Sequence, residues 1–182
     1  MNNNLHVLTE DNTQKILKLF FDGPIIRLHI REVARKVDLS PPGARKILES
    51  LEKDGLLIRE PTPIVVEYRG NYDSELFMAW KRSINLFSLH SSGLVKHLTD
   101  YYGVPECIVL YGSYARGEDT AHSDIDIAIV TKKKNIPETD TFDDKLKRKV
   151  SIHLIKDMRE VDSGFINSLA NGIVLSGYLE VA

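Results

Sequence analysis

The stretch that decides the fold is VLYGSYARGEDTAHSDIDIAIV, residues 109–130. An apolar run ends in Gly112 and Ser113, and after ten further residues Asp124 and Asp126 alternate with isoleucines in a second apolar run. Glycine allows a backbone to approach a ligand closely, and serine offers both a hydroxyl and an N–H group. A small turn followed by two alternating carboxylates indicates a site for phosphate and a metal ion.

The residues around the turn predict how phosphate is held. Residues 107–111 form a compact apolar strand, and Ser113 opens a short helix whose first amides face an anion. Arg116 adds a permanent positive charge, and Gly117 ends the turn. No G-x-x-x-x-G-K-[ST] sequence occurs in this stretch, which excludes a Walker loop.

The two carboxylates predict a divalent cation. Strand side chains alternate, so Asp124 and Asp126 project from one face of the strand that follows Ser123. Mg²⁺ commonly takes one or two carboxylates together with substrate phosphates, which suits phosphoryl or nucleotidyl transfer. The alternative, a solvated strand end with unrelated acidic residues, leaves the neighbouring Gly-Ser, Ala-Arg-Gly and Ser-Asp sequences without an explanation.

Residues 90–182 resemble the minimal nucleotidyltransferases of the DNA polymerase β superfamily, whose signature is Gly-Ser, a ten-residue gap and Asp-x-Asp. The resemblance implies a mixed sheet with flanking helices, ATP or another NTP as substrate, and Mg²⁺ or Mn²⁺ as cofactor. It implies transfer of a nucleoside monophosphate, AMP in the case of ATP, to a hydroxyl with release of pyrophosphate. The residues it assigns to nucleotide binding are Gly112, Ser113, Arg116 and Ser123, with Gly112 and Ser113 at the β and γ phosphates. The residues it assigns to metal binding and catalysis are Asp124 and Asp126.

The chain departs from this family at one position. Active members carry a third carboxylate on a neighbouring strand, where it completes a two-metal site and helps to deprotonate the attacking hydroxyl. The corresponding strand here, residues 150–155, offers Ser151 and His153 on its alternating face and no acid. The nearby acidic residues are Asp143, Asp144 and Asp157. The sequence therefore leaves open whether the domain transfers a nucleotide or only binds one, with His153 as a candidate base.

The N-terminal part of the chain predicts three short helices and a hairpin over residues 11–69. Ser40 and Pro41 mark the start of the third helix, and Gly55 follows its end. This order resembles a winged helix-turn-helix domain, in which the third helix enters the DNA major groove. The candidate DNA-binding residues are Arg45, Lys46, Lys53 and Arg59. Acidic residues interrupt the basic face, so a structural or dimerising role stays open beside DNA binding.

The totals fit an α+β protein. Of the 182 residues 42% are hydrophobic, the net charge is −2, and there is one cysteine, which excludes an intrachain disulfide. No run of about 20 apolar residues and no signal peptide is present, so we expect a cytoplasmic protein without a membrane partner. The predicted division is a winged helix at 1–70, a helical connector at 71–103 that packs on the second domain, and a nucleotidyltransferase domain at 104–182.

Three functions are compatible with the sequence. The first is a nucleotidyltransferase that the winged helix recruits to DNA or to a partner. The second is a DNA-binding transcriptional regulator with a catalytically degenerate, NTP-sensing transferase domain. The third is an antitoxin-like transferase acting on a separate HEPN-type protein, with which small transferases of this kind are often paired.

The basic clusters at 132–134 and 145–149 are solvated faces or guides for a polyanionic acceptor. The sequence leaves the oligomeric state open, with a homodimer as one candidate; a chain that purifies as a clean monomer or homodimer would argue against the third function.

Overall fold

A computed structural model describes residues 11–180 of the chain. Residues 1–10 and 181–182, at the outer ends of the two predicted domains, lie outside the described residues. The first ten residues, where a signal peptide would begin, are therefore not described. The chain divides into two compact units, Met1–Met78 and Ala79–Ala182. Between residues 11 and 180 no helix is both long and apolar enough to cross a bilayer. The predicted α+β class is confirmed.

From residue 11 to residue 70 the first unit contains three helices and a three-stranded antiparallel sheet with the order β1-β3-β2. In chain order its elements are α1 (Asn12–Lys18), β1 (Leu28–His29), α2 (Ile30–Lys36), α3 (Pro41–Lys53), β2 (Leu57–Pro61) and β3 (Val66–Gly70). The strands β2 and β3 form the predicted hairpin, with Pro63 in the connection. The unit therefore has the helix and strand order of a winged helix.

The third helix begins and ends for local reasons. The Ser40 hydroxyl accepts a hydrogen bond from the Gly43 N–H at 3.3 Å, and Pro41 lies in the first turn, where a missing N–H is harmless. Ala44, Leu48 and Leu51 are buried at helical spacing.

The first helix is shorter than its pattern predicts. Its apolar periodicity indicates a helix over residues 12–21, but α1 ends at Lys18. The next three N–H groups, those of residues 19–21, bond to carbonyls three residues earlier, which marks tight turns instead of α-helix.

The second unit is built on a four-stranded mixed sheet with the order β6-β5-β4-β7. Its elements are α4 (Glu75–Ser92, which starts in the first unit), α5 (Leu94–Tyr102), β4 (Cys107–Tyr111), α6 (Gly112–Arg116), β5 (Ile125–Val130), α7 (Asp140–Leu146), β6 (Val150–Ile155), a 3₁₀ turn (Met158–Glu160), α8 (Ser163–Ala170) and β7 (Ile173–Gly177). β5 and β6 are parallel, whereas β4 pairs antiparallel with both β5 and β7. This mixed sheet with flanking helices is the arrangement that the sequence predicted.

The central strands bury both faces of the sheet. Ile125, Ile127 and Ile129 pack into one core together with residues of α5. Ala128 and Val130 belong to a second core on the opposite face, with Cys107, Val109, Ile155 and Leu169. Because side chains alternate along β5, Asp126 lies on the face of this second core. The strand thus carries its carboxylate at the end where the core gives way to solvent.

The buried face of α4 is not the one that the sequence predicted. Helical periodicity in the sequence of this connector predicts an apolar stripe made of Leu76, Phe77, Trp80, Ile84 and Phe87. Phe77 is buried, but Leu76, Trp80 and Phe87 are exposed by 52%, 38% and 46%. The buried residues recur every four positions instead, as Phe77, Lys81, Asn85 and Leu89. Two of these are polar, so a reading based on hydrophobicity alone misplaces the face.

Candidate functional site

The predicted phosphate turn and the Asp-x-Asp strand meet at one point. In the register of β4 with β5, Tyr111 is paired with Asp126, which brings the start of α6 beside this carboxylate. Gly112 has φ +75, and a Cβ atom on it would collide with Oδ2 of Asp126 and approach Cγ at 3.3 Å. The glycine therefore supplies a close approach that no other residue allows.

Asp126 lies close to the charge of Asp124. Burial, followed by the nearby charge of Asp124, raises the pKa of Asp126 above its usual value. Burial and the charge of Asp126 likewise raise the pKa of Tyr111. Asp124 is exposed and Asp126 is half-buried. This pair of repelling carboxylates, one facing solvent, is a donor set that a divalent cation would stabilise.

Two of the expected nucleotide-binding side chains make local contacts. Arg116 donates from Nε to Glu118 at 2.8 Å, and both side chains are about half exposed. The Ser123 hydroxyl accepts a hydrogen bond from the Thr120 N–H at 2.9 Å. Ser113 is half-buried, and its carbonyl accepts the Glu118 N–H at 2.9 Å. Arg116 and Ser123 thus shape the loop around the turn.

The position expected for a third acid is occupied by a serine. β5 and β6 pair in parallel, and the residue directly beside Asp126 is Ser151. His153 lies two residues further along β6, is exposed, and packs its ring 4.8 Å from that of Phe165. Within residues 11–180 no group of three or more histidine, cysteine or acidic side chains is placed to hold a metal ion together. The described site therefore offers two carboxylates.

The neighbouring acids have other partners or lie exposed. Asp143 accepts the backbone N–H of Val150 at 3.0 Å. Asp157 forms an ion pair with Arg159 at 2.6 Å, and the hydrogen bonds from Arg159 lower its pKa to about 2. Asp144 is exposed on α7. Asp143 and Asp157 are thus already engaged in contacts of their own.

An aromatic cluster lines the face of the sheet that carries Asp126. The rings of Tyr111 and Phe165 meet edge to face with centroids 5.2 Å apart, and Phe165 also contacts His153. Phe165 belongs to α8, which contacts β4. The packed aromatic rings form an apolar surface next to the carboxylates of the site.

A buried ionic cluster that was not predicted from the sequence lies beneath the loop between α6 and β5. Asp119 in this loop is fully buried, and so is Lys81 of α4. Arg148 and Asn85 contact the same carboxylate. The one available signal was the four-residue spacing that places Lys81 and Asn85 in line with Phe77 and Leu89 on α4.

The candidate DNA-binding surface lies on the first unit. All four expected cations are exposed, on α3 and β2: Arg45, Lys46, Lys53 and Arg59. A neighbouring wing residue, Arg69, is instead paired with Glu60 at 2.5 Å, and Glu60 also binds Arg27 at 2.8 Å. The start of α3 and the wing enclose an open concave surface that includes Arg31 and Arg45.

Two protein-family models match the chain and agree with this architecture. Residues 94–176 match the family model described as polymerase beta, nucleotidyltransferase, and residues 10–58 match the model for winged helix-turn-helix DNA-binding domains. Among curated proteins no sequence matches the chain. One similar solved structure is that of TrmBL2, described as an archaeal chromatin protein with a novel mode of DNA binding. It shares 15% identity with a TM-score of 0.31, and the match covers 83% of this chain and 64% of that one.

The two family matches confirm the resemblance that the sequence carries. The chain contains a winged helix-turn-helix domain of the DNA-binding type followed by a domain of the polymerase β nucleotidyltransferase fold. The matched segments fall on the units that hold the wing and the mixed sheet.

Proposed function

We propose that the C-terminal domain binds an NTP together with Mg²⁺ and transfers its nucleoside monophosphate, AMP in the case of ATP, to a hydroxyl acceptor. The observation that carries the proposal is the contact between the turn at Gly112 and the carboxylate of Asp126. A turn suited to phosphate and a pair of carboxylates suited to a cation need to be adjacent for this chemistry, and they are adjacent here.

Each residue of the site has a distinct role in this proposal. Gly112 has no side chain that would block the triphosphate. Ser113 donates hydrogen bonds from its N–H and hydroxyl to phosphate oxygens. Arg116 and Ser123 hold the surrounding loop in place through Glu118 and Thr120. Asp124 and Asp126 are the residues that would hold Mg²⁺ or Mn²⁺. When bound, the cation neutralises charge that develops on the phosphates.

Direct binding and labelling experiments test the proposal. Calorimetry is expected to give saturable binding of ATP that depends on Mg²⁺, and α-labelled ATP is expected to label an acceptor in a cell extract. Asp124→Asn and Asp126→Asn are expected to abolish both signals, because each removes a ligand charge. An Asp144→Asn variant, altered at an exposed carboxylate on α7, serves as the control. Undiminished labelling by both site variants would overturn the proposal.

The labelling experiment also identifies the acceptor. Label on nucleic acid would favour recruitment of a transferase by the winged helix. Label on a separate helical protein that co-purifies with the chain would favour the antitoxin-like function with a HEPN-type partner.

We expect these reactions in the cytoplasm. Sedimentation of the purified chain distinguishes a monomer from a homodimer.

A second candidate function follows from Ser151. Since this serine occupies the place beside Asp126, the domain is suited to bind an NTP without turning it over, as an NTP sensor in a DNA-binding regulator. A Ser151→Asp variant separates the two functions. If the wild type binds MgATP without labelling any acceptor and the variant gains labelling, the sensor function is supported; labelling by the wild type supports the transferase.

DNA is the proposed partner of the N-terminal domain. The exposed cations on α3 and β2 support this, because Arg45, Lys46, Lys53 and Arg59 lie on the elements that face DNA in winged helices. A mobility-shift titration with duplex DNA tests the proposal.

A further inference from the structure

The loop between α6 and β5 is fixed from below by a buried carboxylate. Asp119 has no exposed surface, and its Oδ1 accepts a hydrogen bond from Asn85 Nδ2 at 2.8 Å. Lys81 Nζ lies 3.3 Å from the same oxygen, and Arg148 Nη2 lies 3.0 Å from Oδ2. The Lys81 ammonium also donates to the backbone carbonyl of Asp119. Three side chains therefore make four contacts with one loop residue.

The same cluster reaches the neighbouring residues of the loop. Arg148 Nη1 donates to the carbonyl of Thr120 and contacts that of Ser123 at 3.4 Å. Asn85 Nδ2 also donates to the carbonyl of Tyr114 in α6, at 3.1 Å. The cluster thus ties together the helix after the phosphate turn and the loop that ends at Asp124.

Net stability alone is a weak reason for such a cluster. Taking charges out of water costs roughly as much as their mutual attraction returns, and well-packed apolar residues of similar volume often stabilise a protein as well or better. What an ionic cluster provides in addition is direction, because a guanidinium fork and a carboxylate fix the groups that they contact. The groups whose direction the cluster fixes are the backbone carbonyls that precede Asp124.

We infer that Asp119, held by Lys81, Arg148 and Asn85, is a positioning residue that sets the place of Asp124 and thereby the affinity of the site for a metal-bound nucleotide. The inference rests on the proposed function for its ligand, but not for its geometry. It assigns a functional role to a residue that lies outside the Gly-Ser and Asp-x-Asp motif.

Two readouts test the role of Asp119. The first is hydrogen exchange of the ligand-free protein at the amides of Thr120, Ser123 and Ile125. The second is the affinity for MgATP, measured by calorimetry at a temperature at which every variant is folded. In Asp119→Asn, we expect exchange at these amides to become at least tenfold faster and MgATP to bind at least tenfold more weakly.

A matched control separates positioning from general destabilisation. Leu98→Ala opens a cavity in the core of the same unit, on α5, at a fully buried residue outside the loop. We expect this variant to lose stability while its loop exchange and MgATP affinity stay within twofold of the wild type. If Asp119→Asn behaves like Leu98→Ala in both readouts, the positioning role is overturned.

A second variant keeps the test decisive if Asp119→Asn does not fold. Arg148→Lys retains a cation near Asp119 but removes the planar fork that reaches the carbonyls of Thr120 and Ser123. We expect at least fivefold faster loop exchange and a parallel loss of MgATP affinity, and unchanged values would overturn the role. If the wild type binds no MgATP, the proposed function fails, whereas the exchange data still decide whether the cluster orders the loop.

Discussion

At the scale of single residues, Gly112 is the most constrained position of the site. Its backbone has φ +75, and any side chain would meet the carboxylate of Asp126. We expect Gly112→Ala to lower the free energy of unfolding by about 1–2 kcal/mol from backbone strain alone, with a further loss from the collision. We also expect MgATP affinity to fall at least tenfold, because the displaced carboxylate leaves its place. Urea unfolding and calorimetry measure the two effects.

Gly103 provides the matched control for this prediction. It ends α5 with φ +68, but a Cβ atom there would meet no heavy atom within 4 Å. Gly103→Ala therefore isolates the strain of a left-handed backbone from the collision. Equal stability losses and equal MgATP affinities in the two variants would contradict the role of Gly112 as a close-approach glycine.

The raised pKa of Asp126 predicts a trade-off between stability and binding. A carboxyl whose pKa is higher in the folded chain than its ordinary value of 3.8 takes up its proton first in the folded state. The ligand-free protein therefore gains stability from this group as pH falls through the folded pKa towards 3.8. We expect Asp126→Asn to raise the unfolding temperature at pH 7 and to remove this pH dependence.

Thermal unfolding between pH 4 and 8 without divalent cations checks this prediction. The comparison is with Asp124→Asn, whose carboxyl is exposed. Lower stability of Asp126→Asn at pH 7 would mean that the carboxylate makes a stabilising contact that outweighs its burial.

Residues close together in sequence were predicted better than residues that meet across the fold. The turn at Gly112 and the face of Asp126 follow from spacing along two adjacent strands, since strand alternation is a local property. Asp119, in contrast, meets Lys81 across 38 positions and Asn85 across 34. No sequence periodicity predicts a contact between residues so far apart. Lysine side chains are also usually exposed to water, so a buried lysine is not expected.

At the scale of elements, α3 and β2 carry the cations available to DNA. If Arg45, Lys46, Lys53 and Arg59 each contact one phosphate, the logarithm of the DNA association constant should fall with the logarithm of salt concentration with a slope of about −4. We expect the double change Arg45→Ala and Lys46→Ala to reduce the slope by about 2. Titrations of a random-sequence duplex between low and moderate salt measure it.

A lysine of the other unit is the control for this measurement. Lys96 lies on α5, is highly exposed and forms a surface pair with Asp100 at 2.6 Å. Lys96→Ala removes a positive charge from the molecule without altering α3. An equal loss of slope in this variant would show that general charge, and not the helix α3, governs binding.

Elements with strong end signals were predicted closely, and those without them were not. Ser40 and Pro41 fix the start of α3, and Gly117 ends α6 with φ +73. α1 lacks such an end signal at Lys18, and its apolar spacing continues into turns that ordinary helical periodicity cannot distinguish. In α4 the helix itself was predicted correctly, but its buried face includes Lys81 and Asn85, whose partners lie far along the chain.

At the scale of the whole molecule, the two compact units contain candidate sites for two different ligands, DNA and a nucleotide. The wing and α3 belong to Met1–Met78, and the phosphate turn with its aspartates belongs to Ala79–Ala182. A ligand shifts an equilibrium at a second site only through different affinities for two states of the molecule. The transferase function requires no such difference, because recruitment only brings the domain near its acceptor, whereas the sensor function depends on it.

The two functions differ in how MgATP should affect DNA binding when both units are present. If the domain acts as a recruited transferase, saturating MgATP should change DNA affinity by less than twofold. If it acts as a sensor, the change should lie in the range of about 5–150-fold that is typical of coupled sites, and DNA should change the MgATP affinity by the same factor. Titration of a fluorescent duplex with and without MgATP measures the coupling. Asp126→Asn, which is expected to lose the nucleotide, should give no difference between the two titrations, so coupling that persists in this variant would have to arise from the salt added with MgATP.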